Sequence, residues 1–525
     1  MGSSGDDNES GGITPMLVEL LAQKHSGKKT GSAHSSEQPQ SWTPGVPIPD
    51  DPLRWGEYFA SSAKRQMQNT QLRRNIGHAT NTIRNKRGQR VDEMPDWEQL
   101  RLAAGAIKQR TQAMLPELLE QFEANVKKNG GIVHWARDGE EACRIVSGIL
   151  QDKGVDDVVK VKSMATQEIN LNEHLEKLGI SAWETDLAEM IVQLGEDMPS
   201  HVVVPAIHRN RAEVREIFKA KMRNIPNDIS AQPRELTMAA RAHLRQKFLD
   251  AKVSISGANM GIAQTGTLSV FESEGNGRMC LTLPETLITV MGIEKLVPSY
   301  RDYEVFTQLL PRSATGERMN PYTSMWTGVH EGDGPKEFHL ILMDNGRTRV
   351  LADEVGHEAL SCIRCGACLN ICPVYEEVGG HAYNSVYPGP IGISLTPQMV
   401  DGFDHSDPDS TLPFACSLCN ACADACPVHI DLPGIIVENR RKYQDAGRKG
   451  IPSGWDLAMR AASQVMRSGQ RMETAGNAAS LGNILGGKAG KIGPLPLPVV
   501  STWTRSHDIP VPPKQTFRSW WKEQN

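Results

Sequence analysis

Apolar residues recur at three- and four-residue intervals from about residue 55 to 128. They do so in WGEYFASSAKRQMQNTQLRRNIGHATNTIRNKRGQR and again in DWEQLRLAAGAIKQRTQAMLPELLEQFEANVKKNGG. That period lays an apolar stripe along a helix. Asp96 is placed to cap the second stretch, and Gly130-Gly131 to stop it. The first stretch carries a basic face of Arg73, Arg74, Arg84, Lys86, Arg87 and Arg90. It reads as a solvated helix surface or as a docking face for an acidic partner. Beyond residue 131 the period changes. IVHWA, VDDVVKVKS, ISAWETD, HVVVPAI, VSISGANM, TLSVFES, CLTLPETLITVMG and FHLILMD are strand candidates. DGEEACRIVSGILQDKG, NLNEHLEKLG and RNRAEVREIFKAKM, interspersed among them, are helical. Such alternation predicts an α/β domain with a mainly parallel sheet over 131–350.

Ligands of open parallel sheets sit at the carboxyl ends of the strands. Two tracts are candidate rims there. One is the glycine-rich Ser256–Thr267, whose three glycines either aim N–H groups at an anion or serve turns and close packing. The other is Lys160–Glu168. Residues 1–45 are rich in Ser, Gly, Asn, Lys and Gln, and are expected to be disordered. The span 46–130 is the helical N-terminal region. The span 446–525 is a Gly- and Pro-rich arm with Trp503, Phe517, Trp520 and Trp521, which packs back on its own core or grips a partner.

Composition narrows the class. The 525 residues, 39% hydrophobic, suffice for two or three domains. A net charge of -5 argues against a nucleic-acid surface. No apolar run is long enough for a transmembrane helix, and no apolar leader segment stands at the start. A cytoplasmic location is expected.

The chemistry lies in 351–445. Eight of the ten cysteines fall in two runs. One is Cys362-x2-Cys365-x2-Cys368-x3-Cys372-Pro373, the other Cys416-x2-Cys419-x2-Cys422-x3-Cys426-Pro427. The spacing is that of bacterial two-cluster ferredoxins and predicts two [4Fe–4S] clusters. In that pattern the fourth cysteine ligates the other cluster. Cluster 1 then takes Cys362, Cys365, Cys368 and Cys426, and cluster 2 takes Cys416, Cys419, Cys422 and Cys372. Zinc sites favour paired C-x2-C or Cys/His sets, and so dense an array cannot pair wholly as disulfides. Backbone N–H groups of Gly366, Ala367, Ala421 and Ala423 are expected beside the sulfurs. Helical text surrounds both runs, which predicts an α-helical two-cluster domain. The long insertion Val374–Ala415 reads as a platform for a partner or as a loop packed over the clusters. Cys143, in a helix, and Cys280, opening a strand, read as small buried hydrophobes.

Further tracts resemble the iron–sulfur subunit of bacterial L-lactate utilisation, the LutB type. They include Val133–Arg137, Lys162–Met164, Pro205–His208, Gln264–Thr267, Glu354–Leu360 and His381–Gly392. The resemblance spans about 50–525. It implies a lactate-utilisation (LUD) domain with a NagB/RpiA/CoA-transferase-like fold, followed by the two-cluster domain. It also implies partners: a cysteine-rich protein, a second LUD-domain protein and an unidentified electron acceptor. The family's reaction is oxidation of L-lactate to pyruvate. The chain is then an electron-transfer component of an L-lactate dehydrogenase complex. Rival readings are a subunit for another 2-hydroxy acid such as glycolate, or a redox sensor. Glu272, Glu274 and Glu285 lack any motif for CoA transfer, and the sequence assigns no catalytic residue.

Overall fold

Six strands pair in parallel throughout. The computed structural model describes residues 45–223, 225–226, 228–446, 454–480, 491–492 and 509–524. Residues 1–44 and Trp503 lie outside the described residues. The strands are β1 (Ile132–Ala136), β2 (Asp157–Lys160), β3 (Ser181–Glu184), β4 (Val253–Ser256), β7 (Thr286–Gly292) and β10 (Glu337–Met343). Their order is β1-β10-β7-β4-β2-β3. Central strands read as unbroken apolar or small-residue runs because helices cover both sheet faces. All residues of β4 and β7 are buried, whereas the edge strand β1 exposes Ile132 and Trp135. The chain runs outward from β2 to β3, then returns to the far side of β2 as β4 and proceeds through β7 to β10. Direction therefore reverses between β2 and β4, the place where open sheets take ligands.

The glycine-rich tract folds into a second, four-stranded sheet. It comprises β5 (Met260–Ile262), β6 (Thr267–Glu272), β8 (Leu296–Val297) and β9 (Tyr322–Trp326), in the order β8-β5-β6-β9. Gly266 has φ +73°, and a Cβ there would lie 2.7 Å from the backbone of Asn125 and Val126. At this end of the tract, glycine serves a turn and close packing.

Two strand expectations are corrected. HVVVPAI forms no strand. Its valines cover a buried loop in which His201 Nδ1 accepts from the N–H groups of Val203 (3.1 Å) and Val204 (3.0 Å). CLTLPETLITVMG divides at Pro284 into the end of the helix Asn276–Thr282 and the strand β7. Cys280 thus lies in a helix, fully buried, 3.6 Å from Thr185 Oγ1. The helices Leu187–Leu194, Pro233–Asp250 and Tyr300–Ala314 complete the α/β part.

The N-terminal region is helical over Thr70–Asp92, Trp97–Ala113 and Leu115–Lys128. Asp96 holds the N-cap position of the second helix, although its side chain makes no capping bond. The basic face is not solvated along its length. Arg73 pairs with Glu377, and Arg84 lies 4.0 Å from Glu376. Arg87 donates to the Ala425 carbonyl (2.9 Å). The acidic partner of this face is the chain's own cysteine-bearing segment. The insertion Val374–Ala415 resolves likewise. Gly379 to Met399 is buried almost throughout, with Tyr383 and Tyr387 at 0% and 1% exposure. It packs over the cysteine loops and offers no platform there.

Met1–Tyr443 and Gln444–Asn525 separate as two compact units. In the second, the helices Gly469–Ser480 and Phe517–Gln524 are joined by Lys522 and Glu473 (2.6 Å). Phe517, Trp520 and Trp521 cluster on the latter helix with ring centroids 5.8–6.3 Å apart. No described helix is long and apolar enough to cross a membrane.

Candidate functional site

The two cysteine runs fold into equivalent turns. In the first, Arg364 and Gly366 have positive φ (61° and 73°). In the second, Leu418 and Asn420 do (56° and 68°). Left-handed residues on both sides of the middle cysteine curl each loop so that its thiols converge. The turn also aims backbone N–H groups at sulfur. Arg364 N–H donates to Cys362 Sγ and Leu418 N–H to Cys416 Sγ, both at 3.3 Å. Tyr375 N–H donates to Cys372 Sγ (3.5 Å), and Ile430 N–H to Cys426 Sγ (3.4 Å). Of the expected donors, Ala367 N–H faces the Cys365 sulfur. That of Ala423 is taken by the Asn420 carbonyl.

The thiols gather across the runs. Cys362, Cys365, Cys368 and Cys426 line one small cavity of about 20 Å³, closed by Val202, Ile391 and Val428. Burial, then the neighbouring Cys362, pushes the Cys365 thiol up to about 12. The second set is Cys372, Cys416, Cys419 and Cys422. Burial, then the thiols of Cys416, Cys372 and Cys419, pushes Cys422 up to about 12. Thiols gathered this closely and shielded from water fit a polynuclear cation, which takes each as thiolate with release of its proton. The sets differ in access. Cys365, Cys368 and Cys426 are buried, whereas Cys419 is exposed. Cys143 and Cys280 stand apart. Burial pushes each up to about 12, as expected of inert hydrophobes.

Cations surround the first set. Arg101 donates to the Cys426 carbonyl (2.8 Å) and the Ala423 carbonyl (3.0 Å). Lys295 Nζ lies 3.5 Å from the Cys362 carbonyl oxygen. A cluster gaining an electron gains negative charge, so a buried cation beside it raises its potential. Arg101→Gln is expected to lower the midpoint potential of this cluster by on the order of 50 mV, roughly a kcal/mol. The potential of the other cluster should stay in place. A redox titration followed by EPR measures both, and equal shifts would refute the local effect.

Beside this set, at the carboxyl ends of β2, β4 and β7, lies a larger cavity of about 170 Å³. The two predicted rims meet at it: Lys162–Ala165 and Gly257–Asn259. They approach so closely that a Cβ on Gly257 would fall 2.4 Å from Ser163 Oγ. Lys295, Arg347, Arg364 and Tyr387 form the wall toward the cysteines, and Asp186, Glu272 and Glu274 the far wall. Burial pushes Asp186 up against the pull of Lys162. Burial, reinforced by Asp186, pushes Glu274 well up. Glu272 accepts from the N–H groups of Glu274 (2.9 Å) and Gly275 (2.6 Å), a turn-holding role. Glu285 is at the surface with Lys336. Nothing in this arrangement favours CoA transfer.

Sequence reasoning missed one more constellation. Asp197, His208 and His381 converge. Asp197 already accepts from Arg209 (2.5 Å), His208 (2.8 Å), and the N–H groups of Val46 and Met198 (2.8 Å each). His381 lies 2.7 Å from the Met198 carbonyl oxygen. This is an anchor holding the His201 loop against the insertion, with its carboxylate oxygens already engaged.

A parallel α/β domain closed over paired ferredoxin-like loops defines an iron–sulfur protein carrying two [4Fe–4S] clusters. Residues 119–343 match the LUD domain family, and residues 358–430 the 4Fe-4S dicluster domain family. The chain belongs to the lactate utilization protein B family. It is 41% identical over 475 residues to lactate utilization protein B of Exiguobacterium sp., covering 90% of this chain and 98% of that one. Identity to the Bacillus subtilis protein of that name is also 41% over 475 residues, covering 89% and 96%. An uncharacterized electron transport protein of Escherichia coli, YkgF, is 39% identical over 472 residues, covering 89% and 96%. Among solved structures, a DUF162 family protein from Deinococcus radiodurans is 14% identical with a TM-score of 0.25, covering 44% of this chain and 98% of that one.

Proposed function

We propose that this chain is the iron–sulfur electron-transfer subunit of a system that oxidises L-lactate to pyruvate. Cys362, Cys365, Cys368 and Cys426 hold one cluster, and Cys416, Cys419, Cys422 and Cys372 the other. The observation that carries the reading is the asymmetry of the two sets. The first is enclosed beside a cation-walled cavity, and the second reaches the surface at Cys419. A cubane passes single electrons with little rearrangement, and two of them in tandem make a short conduit. The protein's part is to fix the sulfurs by left-handed turns, donate N–H groups to them and shield the inner set from water. The names of the relatives supply lactate. The system includes a cysteine-rich protein, a second LUD-domain protein and an electron acceptor; the substrate step is left to the complex.

Anaerobic purification with co-purifying subunits provides the test. L-Lactate is expected to bleach the cluster absorbance and raise an EPR signal, with D-lactate and glycolate inactive. Reduction by dithionite but by none of these acids would remove the lactate assignment. Reduction by glycolate alone would reassign the substrate.

A further inference from the structure

The cavity beside the first cysteine set has a built-in want. Arg364 has a side chain only 8% exposed, yet its Nε and Nη1 are buried without a hydrogen-bond partner. A buried guanidinium donor left unpaired is costly. Its head stacks 4.7 Å from the Tyr387 ring centroid. Its other terminal nitrogen, Nη2, lies 3.7 Å from Glu294 Oε1. Arg364 lines both this cavity and the one between the thiols, whereas Tyr387, Lys295 and Arg347 line only this one. Nη1 lies cis to Cδ, on the edge away from Nε–H, so it is placed to give a carboxylate oxygen one charge-assisted hydrogen bond of its own.

Charge agrees. Four cations, Lys162, Lys295, Arg347 and Arg364, converge on the wall and rim. Arg347 is neutralised by Glu168 (2.7 Å) and Glu294 (2.6 Å). Glu294 is shared with Lys295, also at 3.7 Å. Two carboxylates, Glu168 and Glu294, among the three cations Lys295, Arg347 and Arg364 leave this wall one charge positive, while Asp186, Glu272 and Glu274 line the same cavity. The volume of about 170 Å³ holds on the order of ten waters, enough for a three-carbon acid with water beside it. The location is the strand-end crevice at the reversal between β2 and β4.

We propose that this cavity binds a small organic monocarboxylate, of the size of a three-carbon 2-hydroxy or 2-oxo acid. Arg364 Nη1 donates to its carboxylate, and Lys295 supports the charge. The ligand then sits directly behind the Cys362–Cys365 loop, because Arg364 is part of that loop. The choice of lactate or pyruvate rests on the function proposed above; the capture of a carboxylate does not.

The test uses the anaerobic, cluster-loaded chain. Thermal stabilisation and calorimetric binding are measured with L-lactate, D-lactate, pyruvate, inorganic phosphate and chloride at equal ionic strength. EPR of the dithionite-reduced protein is recorded in parallel. The expected result is saturable binding of a three-carbon acid, absent with chloride and phosphate, together with a changed signal from one cluster only. Arg364→Lys should weaken binding at least tenfold. Ala258→Phe, which fills the cavity without altering a charge, should abolish binding at unchanged iron content. Acids no better than chloride, phosphate as good as the acids, or unaltered binding in A258F would overturn the inference. So would an Arg364→Lys variant that alters the cluster signal but not affinity, which would turn the guanidinium toward the sulfides. Should the acids bind while L-lactate fails to reduce the co-purified complex, the lactate reading falls and the carboxylate site stands.

Discussion

Replacing Cys426 by alanine is expected to remove the cluster that Cys362, Cys365 and Cys368 share, and to leave intact the cluster nearer in sequence to Cys426. Cys372→Ala should do the reverse. Each variant should fall from about eight iron atoms per chain to about four. The expectation follows from the interleaved thiols. Cys426 lines the enclosed cavity with the first run, and Cys372 is acted on electrostatically by Cys416 and Cys419 of the second. The surviving EPR signal decides between the pairings. The enclosed cluster should relax slowly to added chelator and oxidant, since Val202 and Ile391 close its cavity. The other, with Cys419 exposed, should bleach first. Were C426A to lose the readily bleached cluster and keep the protected one, each run would serve its own cluster and the crossed pairing would be wrong.

The second large effect is on stability. Arg347 is 2% exposed and ion-paired to Glu168 and Glu294, both buried. Tyr387 donates its hydroxyl to Glu168 (2.5 Å). Burial alone would raise Glu294, but Arg347, Lys295 and Arg364 outweigh burial and hold it far below the usual carboxylate range. This network ties β7 and β10 of the sheet to the insertion that covers the cysteine loops. Arg347→Met strands two buried carboxylates and is expected to cost about 3–5 kcal/mol. Arg347→Lys keeps the charge but not the fork, and should lie between. Denaturant midpoints of the anaerobic proteins measure this. A loss under about 1 kcal/mol in R347M would mean that the carboxylates find other partners or take up protons readily.

What the sequence disclosed followed from how local its causes are. Cysteine spacing is a local constraint, and the two turns it implies are present. The alternation of short β-branched runs with helices was likewise sufficient for a parallel sheet, and both candidate rims lie at strand ends on one cavity. Tertiary context decided the rest. HVVVPAI has the composition of a strand, but its burial comes from covering the cysteine loop, where His201 takes the N–H groups a neighbouring strand would need. In CLTLPETLITVMG, Pro284 was the visible break. The cationic lining was not legible, because Lys162, Lys295, Arg347 and Arg364 come from four separate segments. The arginine face of Thr70–Asp92 was visible as charge, but no periodicity tells a solvated face from one laid against the chain's own acidic helix.

The two cysteine turns share their backbone path, left-handed at the same two positions. The copies differ at both, Gly366 standing where the other has Asn420; at the first position Arg364 has a side chain 8% exposed, and Leu418 is 44% exposed, one residue before the exposed Cys419. One copy ends in a guanidinium suited to a small charged molecule, the other in an aliphatic side chain on open surface. Exchanging Arg364 and Leu418 would test whether the two loops are chemically interchangeable.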